Sequence, residues 1–305
     1  MLYPDFHDLM SLKQKKFKSA TPSYRLVKSA VAGGHHSPFR GQGMEFDSVR
    51  EYIPGDDVRS IDWRVTARTS SPHLKVFKVD RERQITLCVD FNAAMRFGTR
   101  NTFKSVQAAR VASLLGWQGI ARQDRVGGCL FGDVPNGIQL FSPKRTEKSF
   151  CTFLKMLATP LKEEHAISLE KIFKQLDQIS HSGSLIYVIS DFMNIGEHLL
   201  NNPHINRLSK RCMIVFIAIN DPADCLLLPV GIIGACSYGS CDRFAINTQS
   251  VSSREAYAAQ WKENRRLLRE LTFRLKIPLL ELTTESLIHR DLAHGLKNIV
   301  KGKKQ

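Results

Sequence analysis

The feature that most constrains this chain is a series of short apolar runs that alternate with longer amphipathic stretches. Residues 84–90 (QITLCVD), 125–131, 184–190 (SLIYVIS) and 212–219 are apolar almost throughout. They lack the in-out alternation of a sheet with one wet face, so they predict strands buried on both sides. Further strands are expected at 137–141, at 244–247, and in LLELTT after Pro278. Helical spacing fills the intervals at 102–120, 144–157 and 168–179, with a mixed or helical stretch at 194–210. The clearest helix covers 252–276, where Tyr257, Trp261, Asn264, Leu268, Leu271 and Leu275 step by three and four and Ser252-Ser253-Arg254-Glu255 fits a capping box. Strands alternating with helices predict an α/β fold with a mostly parallel sheet covered on both faces. At 305 residues, 43% of them hydrophobic, the chain can build an ample core.

A second stretch, 45–83, has a different character. It holds eight acids and eight bases in 39 residues, so it is neutral in a chain that carries +15. Phe46, Tyr52, Ile53, Ile61, Trp63, Val76 and Phe77 punctuate it, and Pro54-Gly55 fits a type II turn. The expectation is a paired polar network around a few buried aromatics, with Trp63 as a core anchor.

Here the pattern EFD-x-VREY-x-PGDD-x-R-x-IDWR-x-TAR, followed by a strand and DRER, resembles the bacterial family called domain of unknown function 58. The resemblance continues through LCVDFNAAMRFGT, DRVGGCLFGD, SLIYVISDF and SREAYAAQW. It implies a von Willebrand factor A-like, doubly wound domain, often encoded near a MoxR-type AAA+ ATPase. The expected division is a helical arm over 1–36, a family-specific extension over 37–83 packed on the main domain, and the von Willebrand A-like domain over 84–305.

Open α/β sheets bind ligands outside the carboxyl ends of their strands. Two predicted strands end in acids, Asp90 and Asp191. The resemblance implies a divalent-metal adhesion site there, built on Asp-x-Ser-x-Ser, a threonine and a further aspartate. In this chain Asp90 and Asp191 match, Asn92 stands at the first serine, Ala94 at the second, and only Ser168 lies near the threonine position. Mg²⁺ or Mn²⁺ would be the ion, but a hard cation wants more oxygens than these four side chains give, so no cofactor is expected. The alternatives are that Asp90 and Asp191 cap backbone amides, or that Arg96 or Arg100 stands in for the metal as a built-in cation.

The chain shows no G-x-S-x-G, H-E-x-x-H or phosphate loop, and no catalytic residue is expected. Seven cysteines without a C-x-x-C pair fit a reducing compartment. The longest clean apolar run, 213–219, is seven residues, against the ~20 that span a bilayer. No apolar leader opens the chain, so a soluble, cytoplasmic protein is expected. The expected function is a non-catalytic adaptor between a MoxR-type AAA+ ATPase and a client. Its partner contacts are expected from Asp56, Asp57, Arg59, Asp62, Trp63, Arg64, Arg96 and Asn194. One alternative is a nucleic-acid binder using Arg265, Arg266, Arg269 and Arg274; another is a metal-dependent hydrolase using Asp56, Asp57 and Asp62.

Overall fold

The computed structural model describes residues 3–14, 44–54, 56–79, 83–159, 166–193, 195–236 and 243–300. The chain divides into two units, Lys28–Glu82 and a larger one formed by Met1–Val27 with Arg83–Gln305.

In the smaller unit, β1 (Met44–Glu51) pairs antiparallel with β2 (His73–Val79), Glu51 standing opposite His73. The connection carries the helix Trp63–Thr69. Asp62 starts that helix by accepting from the amides of Arg64 (3.0 Å) and Val65 (3.3 Å), and Ser70 ends it in the left-handed region at φ 59°. The Pro54-Gly55 turn is closed by the Asp56 amide donating to the Ile53 carbonyl at 3.0 Å; Gly55 itself, and hence the turn type, lies outside the described residues. The expectation of a buried Trp63 fails: the side chain is 70% exposed. It is the first residue of a short helix, and among the described residues of this unit no second layer covers it.

In the main unit, the strands in chain order are β3 (Gln84–Phe91), β4 (Arg125–Gly132), β5 (Ile138–Lys144), β6 (Leu185–Ser190), β7 (Met213–Asn220), β8 (Ile232–Cys236), β9 (Arg243–Asn247) and β10 (Leu279–Thr283). Six form one sheet in the order β10-β7-β6-β3-β4-β5. Every neighbouring pair is parallel except β4 with β5. This is the mixed α/β architecture expected from the apolar runs. Successive strand residues feed opposite cores. Leu87, Val89, Tyr187 and Ile189 pack with the helices Lys104–Ala121, Glu147–Ala158 and Ile288–Val300. Cys88, Ile186, Val188 and Phe216 pack with Leu169–Ile179, Pro203–Arg211 and Val251–Leu275. The helix Phe6–Ser11 joins the first core through Leu9, whose carbonyl accepts from Ser113 Oγ at 2.7 Å.

One local expectation is corrected. The long helix begins at Val251, so the predicted capping box lies inside its first turn. There Arg254 donates instead to the Thr248 and Gln249 carbonyls. The strand expected over 244–247 forms as Arg243–Asn247, in a separate ribbon with β8. The helix Ile288–Val300 was not anticipated.

Candidate functional site

Strand order reverses between β3 and β6. From β3 the chain moves out to β4 and β5, then returns to β6 and runs the other way to β7 and β10. At such a reversal the loops leaving two adjacent strands part, and open α/β sheets place ligands there. Val89 pairs with Ile189, so Asp90 and Ser190 are level and Asp191 follows directly.

Asp90 is buried and fully engaged. One carboxylate oxygen accepts from the Asn92 amide and from Asn92 Nδ2, both at 2.8 Å; the other accepts from Ser190 Oγ at 2.5 Å. Burial pushes its carboxyl up to about 7, helped by Asp191 and opposed by these hydrogen bonds. Asn92 is engaged on both sides of its amide, donating to the Ile167 carbonyl (3.1 Å) and accepting from the Ile167 amide (2.9 Å). Gly132, at φ 105°, passes so close that a Cβ there would run into the Asn92 backbone.

Asp191 faces a lysine. Lys104, the first residue of its helix, places Nζ 2.8 Å from Asp191 Oδ2 and 3.2 and 3.3 Å from the two oxygens of Asp224. Burial works to lower the Lys104 pKa, but the two carboxylates outweigh it and hold it above the ordinary lysine value. The other Asp191 oxygen caps the Met193 amide at 3.1 Å. Between them Phe192 sits at φ 52°, a left-handed conformation that a bulky residue keeps only when its surroundings impose it. Ser190 Oγ accepts its amide at 3.2 Å and its ring stacks 4.8 Å from Phe216.

Two further residues close the seam. Asp224 caps the Asp221 amide at 2.7 Å, while Asp221 accepts from the Thr99 amide and hydroxyl and from Thr284 Oγ1. Arg265, from the long helix, donates at 2.7 Å to both the Asp191 carbonyl and Asn220 Oδ1. Its Nε and Nη1 are buried without a partner, and burial lowers its pKa. Arg265 is thus an inward residue and not part of a basic outer stripe. Arg266 pairs with Glu263 and Glu270.

These donors do not fit a divalent ion. Asn92 Oδ1 already accepts a backbone hydrogen bond, Asp90 serves Asn92 and Ser190, and an ammonium stands against Asp191. Ser168 is exposed, at the start of its helix. Among the described residues no group of three or more His, Cys, Asp or Glu is arranged to hold a metal. Neither arginine considered as a built-in cation lies on these acids: Arg96 pairs with Asp133, and Arg100 with Glu285 at 3.4 Å. Lys104 was missed because a lysine opening a helix reads as a solvated residue. Asp224 was more accessible, since Asp221-Pro222-Ala223-Asp224 has capping-box spacing and forms one.

The other expected contact residues lie in the smaller unit, apart from Asn194, which falls outside the described residues. Asp56 pairs with Arg50 at 2.7 Å, and Asp57 caps the Arg59 amide. Arg59, Trp63 and Arg64 are exposed, as are Ile53 and Val58.

A family model described as "Protein of unknown function DUF58" matches residues 48–267. The uncharacterized proteins Mb1516 of Mycobacterium bovis and Rv1480 of Mycobacterium tuberculosis are each 30% identical over 209 residues, covering 67% of this chain and 64% of theirs. Among solved structures, the conserved hypothetical protein BatB of Bacteroides thetaiotaomicron aligns at 12% identity and TM-score 0.42 over 72% of this chain and 99% of its own. An aerotolerance-related membrane protein of Bacteroides fragilis aligns at 11% and 0.40, over 71% and 99%. Likenesses of this degree carry no weight for fold or function.

Proposed function

We propose that this chain, which belongs to the DUF58 family, is a non-catalytic adaptor that links a MoxR-type AAA+ ATPase to a client during complex assembly or maturation. The observation that carries this reading is the engagement of the seam's own acids. Asp90, Asp191, Asp221 and Asp224 hold loops through backbone amides, hydroxyls and Lys104. A hydrolase aims such groups at a substrate; here they fix the segments 92–104, 190–193 and 220–225. A buried network whose four acids are all engaged confers rigidity, and rigid loops are what a binding surface needs.

We take the main unit as von Willebrand A-like and doubly wound. The strand order, the reversal between β3 and β6, and the single antiparallel strand at one edge support this. Exposed apolar side chains support protein contact. Phe97 is 40% exposed beside the seam, and Leu226, Leu228, Val230 and Ile232 form a period-two row of exposed residues leading into β8. No helix among the described residues is long and apolar enough to cross a membrane, and we set the adaptor in the cytoplasm, where ATP feeds the ATPase.

The test is cross-linking and capture of the tagged chain from its own cells, with Phe97→Glu as the comparison. The expected result is a MoxR-type ATPase enriched over a tag-only control. The variant should weaken recovery about tenfold, ~1.4 kcal/mol of binding. Capture in which no AAA+ ATPase rises above the control overturns the reading.

A further inference from the structure

The geometry points to Lys104 as the resident cation of the seam: its ammonium takes the position a divalent ion would hold between Asp191 and Asp224, and the chain uses no metal there. Three observations carry this. First, the side chain is 2% exposed and its Nζ reaches both acids. Burying an ammonium is so unfavourable that it persists only where partners surround it. Second, its place is fixed from both ends. The Lys104 amide donates to the Phe97 carbonyl at 2.9 Å, and Nζ lies 5.6 Å from the Phe97 ring centroid. The three ammonium hydrogens thus meet two carboxylates and an aromatic face. Third, Arg265 brings a second fixed cation to the backbone carbonyl of Asp191, adding positive charge at the same strand end. A divalent ion entering within bonding distance of Asp191 would meet a unit positive charge a few ångströms away in a medium that screens poorly. The lysine and the metal therefore exclude one another.

Mutual exclusion has a consequence that neither a bare structural ion pair nor a metal site shares: removing the lysine should create a metal site. In Lys104→Ala the two acids keep their positions just after β6 and on the Asp221–Asp224 cap and lose their cation. The experiment follows melting temperature and the electron paramagnetic resonance signal of Mn²⁺ as Mn²⁺ or Mg²⁺ is titrated into the full chain. The wild type is expected to show no ion-dependent shift up to millimolar concentration. Lys104→Ala is expected to melt lower without ions, to recover when Mn²⁺ is added, and to lose that recovery when Asp191→Asn is added. Wild-type Mn²⁺ binding that Asp191→Asn abolishes overturns the inference, as does a folded Lys104→Ala variant indifferent to both ions. Should Lys104→Ala fail to fold, the ¹⁵Nζ resonance of Lys104 in the wild type decides. A slowly exchanging signal that Mn²⁺ leaves sharp supports a resident ammonium, and a signal broadened by Mn²⁺ overturns it.

Discussion

Lys104 Nζ lies 2.8 Å from Asp191 Oδ2, an ion pair whose partners are 87 residues apart in sequence and whose side chains are 2% and 5% exposed. One partner opens a helix on one face of the sheet and the other follows the central strand β6, so the pair joins two crossover segments at the point where strand order reverses. Pairs of this kind contribute little net stability over an apolar substitute but are costly to break from one side.

Asp191→Ala should therefore destabilise the chain by about 3–5 kcal/mol, because it leaves a buried ammonium facing Asp224 alone. The exposed pair Lys13–Glu147, at 2.6 Å with side chains 46% and 55% exposed, should cost at most about 1 kcal/mol when Glu147 is replaced by alanine. Urea unfolding of both variants checks this, and equal losses would refute the distinction.

The buried Asp90 carboxyl gives a pH dependence of definite sign. Its pKa is raised from 3.8 to about 7, by burial first and Asp191 second. Between those values the folded chain holds a proton that the unfolded chain releases, so stability falls as pH rises through this window and levels off above it. The loss is on the order of 1–4 kcal/mol. Asp90→Asn keeps the shape and cannot ionise, so its stability should fall less between pH 5 and 8. Parallel curves for wild type and variant would show that Asp90 does not titrate in this range.

Trp63 behaves differently from a core tryptophan. Being 70% exposed, its replacement by alanine should cost within about 0.5 kcal/mol, not the ~3–5 of a buried ring. Asp62→Ala, which removes the helix cap, should cost about 1 kcal/mol. Thermal melts of the two variants give the order directly. A loss from Trp63→Ala larger than that from Asp62→Ala would mean the ring is packed in solution.

The apolar row leading into β8 gives a further expectation. Val230→Ser with Ile232→Ser should leave the melting temperature nearly unchanged, since both side chains are exposed at 69% and 75%. The same double variant should bind less of a hydrophobic dye and capture less of the partner ATPase. A clear drop in melting temperature would place the row against the fold instead.

Much of the fold was legible in the sequence because buried parallel strands announce themselves. SLIYVIS is uncharged and is fully buried as β6, and QITLCVD becomes β3. The helix Ile288–Val300 was overlooked although Ile288, Leu292 and Leu296 step by four along one face; the histidines, Arg290, Asp291 and lysine between them give the segment a polar look. Asp90 and Asp191 were legible as acids at strand ends. What joins them was not: Lys104, Asp224 and Arg265 come from three separate segments, and no local spacing relates a helix-opening lysine to a cap 120 residues later. Trp63 shows the converse failure. Its place among charges suggested a core anchor, but the ring opens a short helix and is 70% exposed.

The most direct measurement of the central claim is a crystal structure of the full chain grown with Mn²⁺ and recorded at the manganese absorption edge. The account predicts no anomalous peak between Asp90, Asp191 and Asp224, with Lys104 Nζ in density between the latter two. A manganese peak bonded to Asp191, with the lysine turned away, would contradict it.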